Sequence, residues 1–419
     1  MASNFSGIFQ IEDLQKKLGF TLLIIFIFRI GIHIPIYGLD MNKLASIFGG
    51  GDFLGFVDLF SGGALKRFSI FALGIIPYIN ASIIMQLMTF LYPSLKEMQQ
   101  EEGESGRKKI QQYTRYLTIF IAIIQSIGIT VGLRGILLPN LNFYSFLLFT
   151  VVALVAGTTF VMWLGELITE RGIGNGGSII IFVGIIGAMP SYIANTITLI
   201  KGGIPIYNVI ILVFMLVLVI IGIVVVQEAQ RNIPVQYAKR VVGRKMYGGQ
   251  NTYLPMKINQ GGVIPIIFAS SVLSVPIMLL QFIPQMTFLH KWINYGTVFY
   301  LIAFSGLIFF FTYFYTAITF NPTELADNIK KYGGFILGVR PGKPTADYLD
   351  SVISRLTFVG ATFLAVISII PMVSANFTHV TSFMGLGGTA LLIIVGVAND
   401  IIRQIETILL ANKYEKLVR

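Results

Sequence analysis

The chain has no cysteine. That excludes disulfides, thiol catalysis and cysteine-ligated metals. Charge is also sparse: 12% of the residues are Asp, Glu, Lys or Arg, where a soluble domain carries roughly 25%. The three histidines are His33, His290 and His379, and no two stand at helical spacing. Neither haem nor a metal site is therefore expected, and no cofactor is implied. Gly342-Lys343-Pro344 fails the Gly-Lys-Ser/Thr pattern of a phosphate-cradling loop. ATP hydrolysis by that route is excluded, and no enzyme chemistry is expected. No carboxylate is expected at the middle of a span, which argues against a proton or sodium relay. Uphill movement would then draw its energy from a partner. The polar start leads into a full-length apolar run without a small-residue cleavage site, so no removable leader is expected.

What is abundant is hydrocarbon. Of 419 residues 55% are hydrophobic, and mean hydropathy is +0.79. Apolar runs long enough to cross a bilayer recur throughout, which predicts an all-α polytopic membrane protein. Ten spans are expected, near 18–37, 70–91, 115–134, 144–168, 176–198, 206–227, 262–283, 296–320, 354–375 and 383–410. An even count places both termini on one side. Twenty-three of the 30 Lys and Arg fall in loops or tails of that side, six on the other, and Arg29 lies within the first span. Positive charge gathers on the cytosolic face, so both termini are expected in the cytosol or its organellar equivalent.

Two basic loops on that side, 228–261 and 321–354, are long while the others are short. Their charge fits anionic lipid headgroups, or a docking surface for a large anionic partner. Glycines around Gly174, Gly176 and Gly177, and around Gly385, Gly387 and Gly388, suit either close helix packing or hinges. Arg29 reads as an anchor to backbone carbonyls or a neighbouring helix. Asp400, Arg403 and Glu406, spaced three apart near the end of the last span, are expected to pair with one another.

The stretch 56–91 is the one the rest is organised around. Its first part is glycine-broken and carries Asp58, Lys66 and Arg67, so it spans poorly; an apolar run follows over 70–91. Within a bilayer, a non-spanning segment is tolerated only inside protein or beside a water-filled cavity. The spans divide five and five, at 1–198 and 199–419, as an internally duplicated architecture with a pathway between halves would. Two rival readings are a secondary transporter of a small solute and a poreless scaffold. The first lacks a polar midplane site, and the second leaves the broken second span unexplained.

Several runs resemble SecY, the channel family of the Sec protein translocase. They are Phe60-Ser61-Gly62-Gly63-Ala64-Leu65, Phe71-Ala72-Leu73-Gly74-Ile75-Ile76-Pro77-Tyr78-Ile79, Glu102-Gly103-Glu104-Ser105-Gly106-Arg107, Gln112-Tyr113-Thr114-Arg115-Tyr116, Thr169-Glu170-Arg171-Gly172-Ile173-Gly174-Asn175-Gly176, Gly262-Val263-Ile264-Pro265 and Arg340-Pro341-Gly342. Ile258-Asn259-Gln260-Gly261-Gly262 and Gly385-Leu386-Gly387-Gly388 are similar to the cyanobacterial and plastid-encoded branch. Gly177 departs from the family, standing where isoleucine is usual.

The resemblance implies an hourglass pore between two pseudo-symmetric five-helix halves. It implies a constriction of Ile75, Ile79, Ile181, Ile267 and Ile393. It implies a plug over 58–69, including Asp58, Leu59, Phe60, Ser61, Gly62, Gly63, Ala64 and Leu65. A lateral gate is implied at Asn80, Gln86 and Val275, with Gln125, Ser270 and Ser271 as further polar residues of that seam. Motor or ribosome docking is implied at Arg240, Arg244, Lys245 and Arg340. Implied partners are SecE-like and SecG-like small membrane subunits, a SecA-type motor ATPase or a ribosome, preprotein substrates and the lipid bilayer. The implied location is the plastid thylakoid, or otherwise a cyanobacterial or bacterial plasma membrane.

Overall fold

A computed structural model describes residues 11–41, 43–44, 58, 60–100, 102–237, 240–242, 245–247, 251–282, 297–378 and 387–418. Ten long helices account for most of them. They are α1 (Glu12–Ile32), α2 (Ile76–Leu91), α4 (Gly103–Gly132), α5 (Phe143–Arg171), α6 (Gly176–Lys201), α7 (Ile206–Glu228), α8 (Ile264–Phe282), α9 (Val298–Thr319), α11 (Lys343–Thr378) and α12 (Gly387–Val418). Two short helices, α3 (Pro93–Gln100) and α10 (Pro322–Lys331), complete the set. Among the described residues, seven helical stretches are both long and apolar enough to cross a membrane.

Local chemistry sets the boundaries. Asn142, Asn175, Thr297 and Asn321 each accept a backbone N–H of the first turn that follows, starting α5, α6, α9 and α10. Inside the spans, hydroxyls donate back along their own helix: Thr118 to the Thr114 carbonyl, Thr130 to Ser126, Thr312 to Ile308 and Thr316 to Thr312. These hydroxyls are thus satisfied within their own helices without water, as hydrocarbon favours.

Helix packing repeats between the two halves of the chain. In the first, α1 meets α5 and α6, α2 meets α4, α4 meets α5, and α5 meets α6. In the second, α7 meets α11 and α12, α8 meets α9, α9 meets α11, and α11 meets α12. Taking the ten long helices in order, these are the same five pairings. The halves touch along two seams, α8 against α2 and α4, and α6 against α12.

Two expectations need correction, and a third is extended. The second span does not begin at residue 70: residues 70–75 form turns and α2 starts at Ile76, leaving 16 residues, or about 24 Å of helix. Pro77 in its first turn and Gly74 at φ +55° place the break. The two long basic segments are not simple loops. β1 (Gln230–Tyr237) pairs antiparallel with both β4 (Asn251–Lys257) and β5 (Gly334–Ile336), so one sheet joins both segments. β2 (Arg240–Val242) and β3 (Lys245–Tyr247) form a second hairpin. Ile233, Val235, Met256, Ile329, Ile336, Leu349, Val352 and Ile353 give this unit a core of its own. The helix that carries the ninth span begins before 354: α11 rises from this unit at Lys343, and its first turns pack in the unit's core.

Candidate functional site

The segment around Asp58 folds as a closed turn. Asp58 Oδ1 accepts the Lys66 amide at 2.8 Å, and its carbonyl accepts the Gly63 amide at 3.0 Å and the Ser61 hydroxyl at 2.9 Å. Ser61 Oγ in turn accepts the Leu65 amide at 3.2 Å. Gly62 and Gly63 sit at φ +71° and +88°, where only glycine is comfortable. Gly62 also lies against α6: a Cβ there would stand 3.0 Å from Gly184 Cα. Leu59 lies outside the described residues.

This turn is buried between two cores. Phe60 and Ala64 belong to the large apolar cluster that runs through both halves of the bundle. Leu65 and Phe68 belong to a separate cluster with Ile36, Leu39, Phe146 and Leu154. The segment's exit is tied down by Ile36 donating to the Phe68 carbonyl at 2.8 Å and Ile70 donating to the Ile34 carbonyl at 3.1 Å.

All five isoleucines are buried, and all lie in the same cluster as Phe60 and Ala64. Ile75 is the residue before α2 and Ile79 lies in its first turn; Ile181, Ile267 and Ile393 lie in the first two turns of α6, α8 and α12. Ile75 also reaches outward, since its Cδ1 would lie 3.5 Å from a Cβ at Gly165 and 3.8 Å from one at Gly177. A Cβ at Gly177 would thus meet Ile75 at ordinary contact distance. No side chain of these five can hydrogen-bond, so what they add to the cluster is wholly apolar.

On α2, Asn80 is buried and its Nδ2 has no hydrogen-bond partner. Ser270 Oγ bonds to the Ile267 carbonyl of its own helix, and Ser271 is buried beside it. Gln86 and Gln125 are half-buried. The Val275 side chain lies outside the described residues, as do those of Arg240 and Lys245 and the whole of Arg244. The backbones of Arg240 and Lys245 are in the β2–β3 hairpin. Arg340 is exposed on the turn between β5 and α11, its carbonyl held by the Thr345 hydroxyl at 2.8 Å.

Three features went unread in the sequence or were misread. Glu166, near the end of the fourth span, is buried; Arg115 of α4 grips it with Nε at 2.9 Å and Nη2 at 2.8 Å, and Gln111 adds a bond at 3.1 Å. The expected set Asp400, Arg403 and Glu406 does not pair internally. Arg403 instead bridges to Glu228 of α7 at 3.0 Å, and Asn399 bonds the other carboxylate oxygen at 2.8 Å. A cross-helix carboxylate with two donors outcompetes an i,i+3 neighbour on an open helix face. Ile185, one turn beyond Ile181, is fully buried in the same cluster and follows the Gly184 that meets Gly62. Its signal was the i,i+4 spacing from Ile181. Of the histidines, His33 contacts the Arg29 carbonyl at 2.9 Å, and His290 and His379 lie outside the described residues.

Residues 69–402 match the SecY family model. The chain is 45% identical over 430 aligned positions to "Protein translocase subunit SecY" of Aquifex aeolicus (strain VF5), covering 100% of both. It is 44% identical to the protein of the same description from Synechocystis sp., covering 98% of this chain and 95% of that one. Among solved structures, "The structure of a protein conducting channel" superposes with a TM-score of 0.65 at 20% identity, covering 94% and 92%. "Sec61 in the Canine ribosome-channel complex from the endoplasmic reticulum" does so at 0.61 and 19%, with the same coverage. These structural likenesses show the fold.

Proposed function

The chain belongs to the SecY family, and from that membership we propose how its parts serve a protein-conducting channel of a translocase. The observation that carries the reading is the shared cluster: Phe60 and Ala64 pack into the same dry core as Ile75, Ile79, Ile181, Ile267 and Ile393. The isoleucines form the waist of an hourglass, and segment 58–69 seals it as a plug. The seal is apolar and sequence-blind, so it parts for any extended chain and binds none. The halves 1–198 and 199–419 pivot about the α6–α12 seam. The α2–α8 seam, with Asn80, Gln86 and Val275, opens sideways to release apolar segments into lipid.

The sheet-built unit presents Arg340, with Arg240, Arg244 and Lys245, to a SecA-type motor or a ribosome on the cytosolic or stromal side, where both termini lie. SecE-like and SecG-like subunits complete the channel. Similarity to the Synechocystis protein supports a cyanobacterial-type membrane, with the plastid thylakoid as the specific location proposed.

Planar-bilayer conductance of the assembled channel tests the plug. Deleting residues 58–69 should raise resting ion leak severalfold, and unchanged leak would remove the plug from the reading.

A further inference from the structure

The two halves also meet through aromatic rings. Phe90, one residue before the end of α2, meets Phe314 of α9 edge to face, with ring centroids 5.4 Å apart and planes at 74°. Helical spacing puts it there. Phe90 follows Ile79, Ile83 and Leu87 on the face of α2 that packs into the large apolar cluster. On α9, Phe314 stacks on Phe310, one turn earlier, at 6.0 Å and 12°. Phe310 meets Phe311 at 5.2 Å, and Phe311 meets Phe268 of α8 at 5.7 Å. Phe268 and Phe311 are buried, while Phe90 and Phe310 are more than half exposed. The rings therefore run from the core at Phe268, the residue after Ile267, out to the exposed end of α2. There α2 belongs to the first half and α9 to the second, so α2 cannot leave α9 without breaking the Phe90–Phe314 pair.

Between helices in lipid, burying apolar area by itself stabilises little, because hydrocarbon tails cover such a surface as well as another helix does. What remains is close packing and geometry. An edge-to-face ring pair has both, since the positive edge of one ring meets the negative face of the other. A lipid tail does not reproduce that contact. Parting α2 from α9 therefore costs the ring pair, and an apolar segment that enters between them has to make up the loss.

We propose that Phe90 and Phe314 latch the lateral gate, and that this ring pair sets how apolar a segment of the moving chain must be before it leaves sideways into lipid. The pair determines which segments are released, not whether the gate can open. The latch rests on the reading of the gate as the place where α2 parts from α8 and α9, and its test separates the two.

Alanine segments graded in leucine content, carried by a preprotein into translocating vesicles that hold the complete channel, measure the threshold by protease protection. Phe90→Ala and Phe314→Ala should each lower the half-partition point by about one to two leucines. The double variant should shift it no further than either single one, since each removes the same contact. Phe90→Leu, which keeps apolar bulk without a ring edge, should shift it as alanine does. Phe149→Ala, which removes an exposed ring from α5, should leave it unchanged. A wild-type threshold in Phe90→Ala, Phe314→Ala or Phe90→Leu, single effects that add in the double variant, or an equal shift in Phe149→Ala overturns the latch.

A cross-link judges the gate separately. The chain has no cysteine, so thiols placed at the two positions are the only ones in it. The Phe90→Cys/Phe314→Cys pair joined by a short bismaleimide should stop sideways release of even strongly apolar segments, while either single thiol treated with the same reagent should not. Normal release by the joined pair shows that α2 and α9 need not part, and sinks the gate at this edge together with its latch. Blocked release combined with unshifted thresholds in the alanine variants sinks the latch alone.

Discussion

Phe68 holds its backbone at φ +45°, a conformation few non-glycine residues adopt. Its ring is fully buried and stacks on Phe146 at 6.5 Å. Burial of the ring offsets a backbone cost of roughly 1–3 kcal/mol. Phe28 is as deeply buried but sits in regular helix. Truncating either ring to alanine should cost about 3–5 kcal/mol. Glycine then tells them apart. At position 68 it should be better than alanine by about 1 kcal/mol, because it relieves the left-handed strain. At position 28 it should be worse by about the same amount. Thermal unfolding of the four variants checks this, and the same order at both sites would contradict the strained pivot. Nothing in the sequence marks Phe68, since a left-handed phenylalanine is imposed by what surrounds it.

Among the elements, α2 and the sheet depart most from a reading by periodicity. The apolar run 70–91 contains enough residues to span, yet its first six are turns, and the first of them, Ile70, donates to the Ile34 carbonyl. Close approach explains part of this: Gly157 of α5 admits the Ile70 carbonyl where any Cβ would overlap it. Hydropathy counts carbon and is blind to such a contact. The sheet was missed because β1, β4 and β5 are short and far apart in sequence, and Pro234 and Pro255 interrupt their pattern. Ile336 on β5 is buried in the core of this unit. Ile336→Asp should unfold the unit, exposing 228–261 to protease while the membrane helices keep their thermal stability. Arg340→Glu should leave the unit folded and protease-resistant yet block translocation in vesicles. Normal export by the second variant would remove Arg340 from docking.

Across the whole molecule, the halves meet along two seams, and the large apolar cluster draws residues from the helices of both. Asn80 of α2, in the proposed lateral gate, buries an amide donor with no partner. An unmade buried hydrogen bond costs about 1–3 kcal/mol. Asn80→Leu removes that cost and should tighten the seam. Reporter segments of marginal hydrophobicity should then partition less into lipid and more across the membrane. Unchanged partitioning would mean that the seam opens elsewhere.

The sequence by itself determined that this is a helical membrane protein with ten long helices. Hydrocarbon requires every backbone group to be paired within its own segment, and only long apolar runs achieve that. It also carried the family, since the glycine- and proline-bearing turns around 60–79 and 169–176 are written in consecutive residues. The tertiary structure alone decided that Glu166 pairs with Arg115 and Arg403 with Glu228, and that two distant basic segments share one sheet. It likewise brought five scattered isoleucines into one dry cluster with Phe60 and Ala64. Those are contacts between residues far apart along the chain, and their energies depend on burial and distance, which no local pattern encodes.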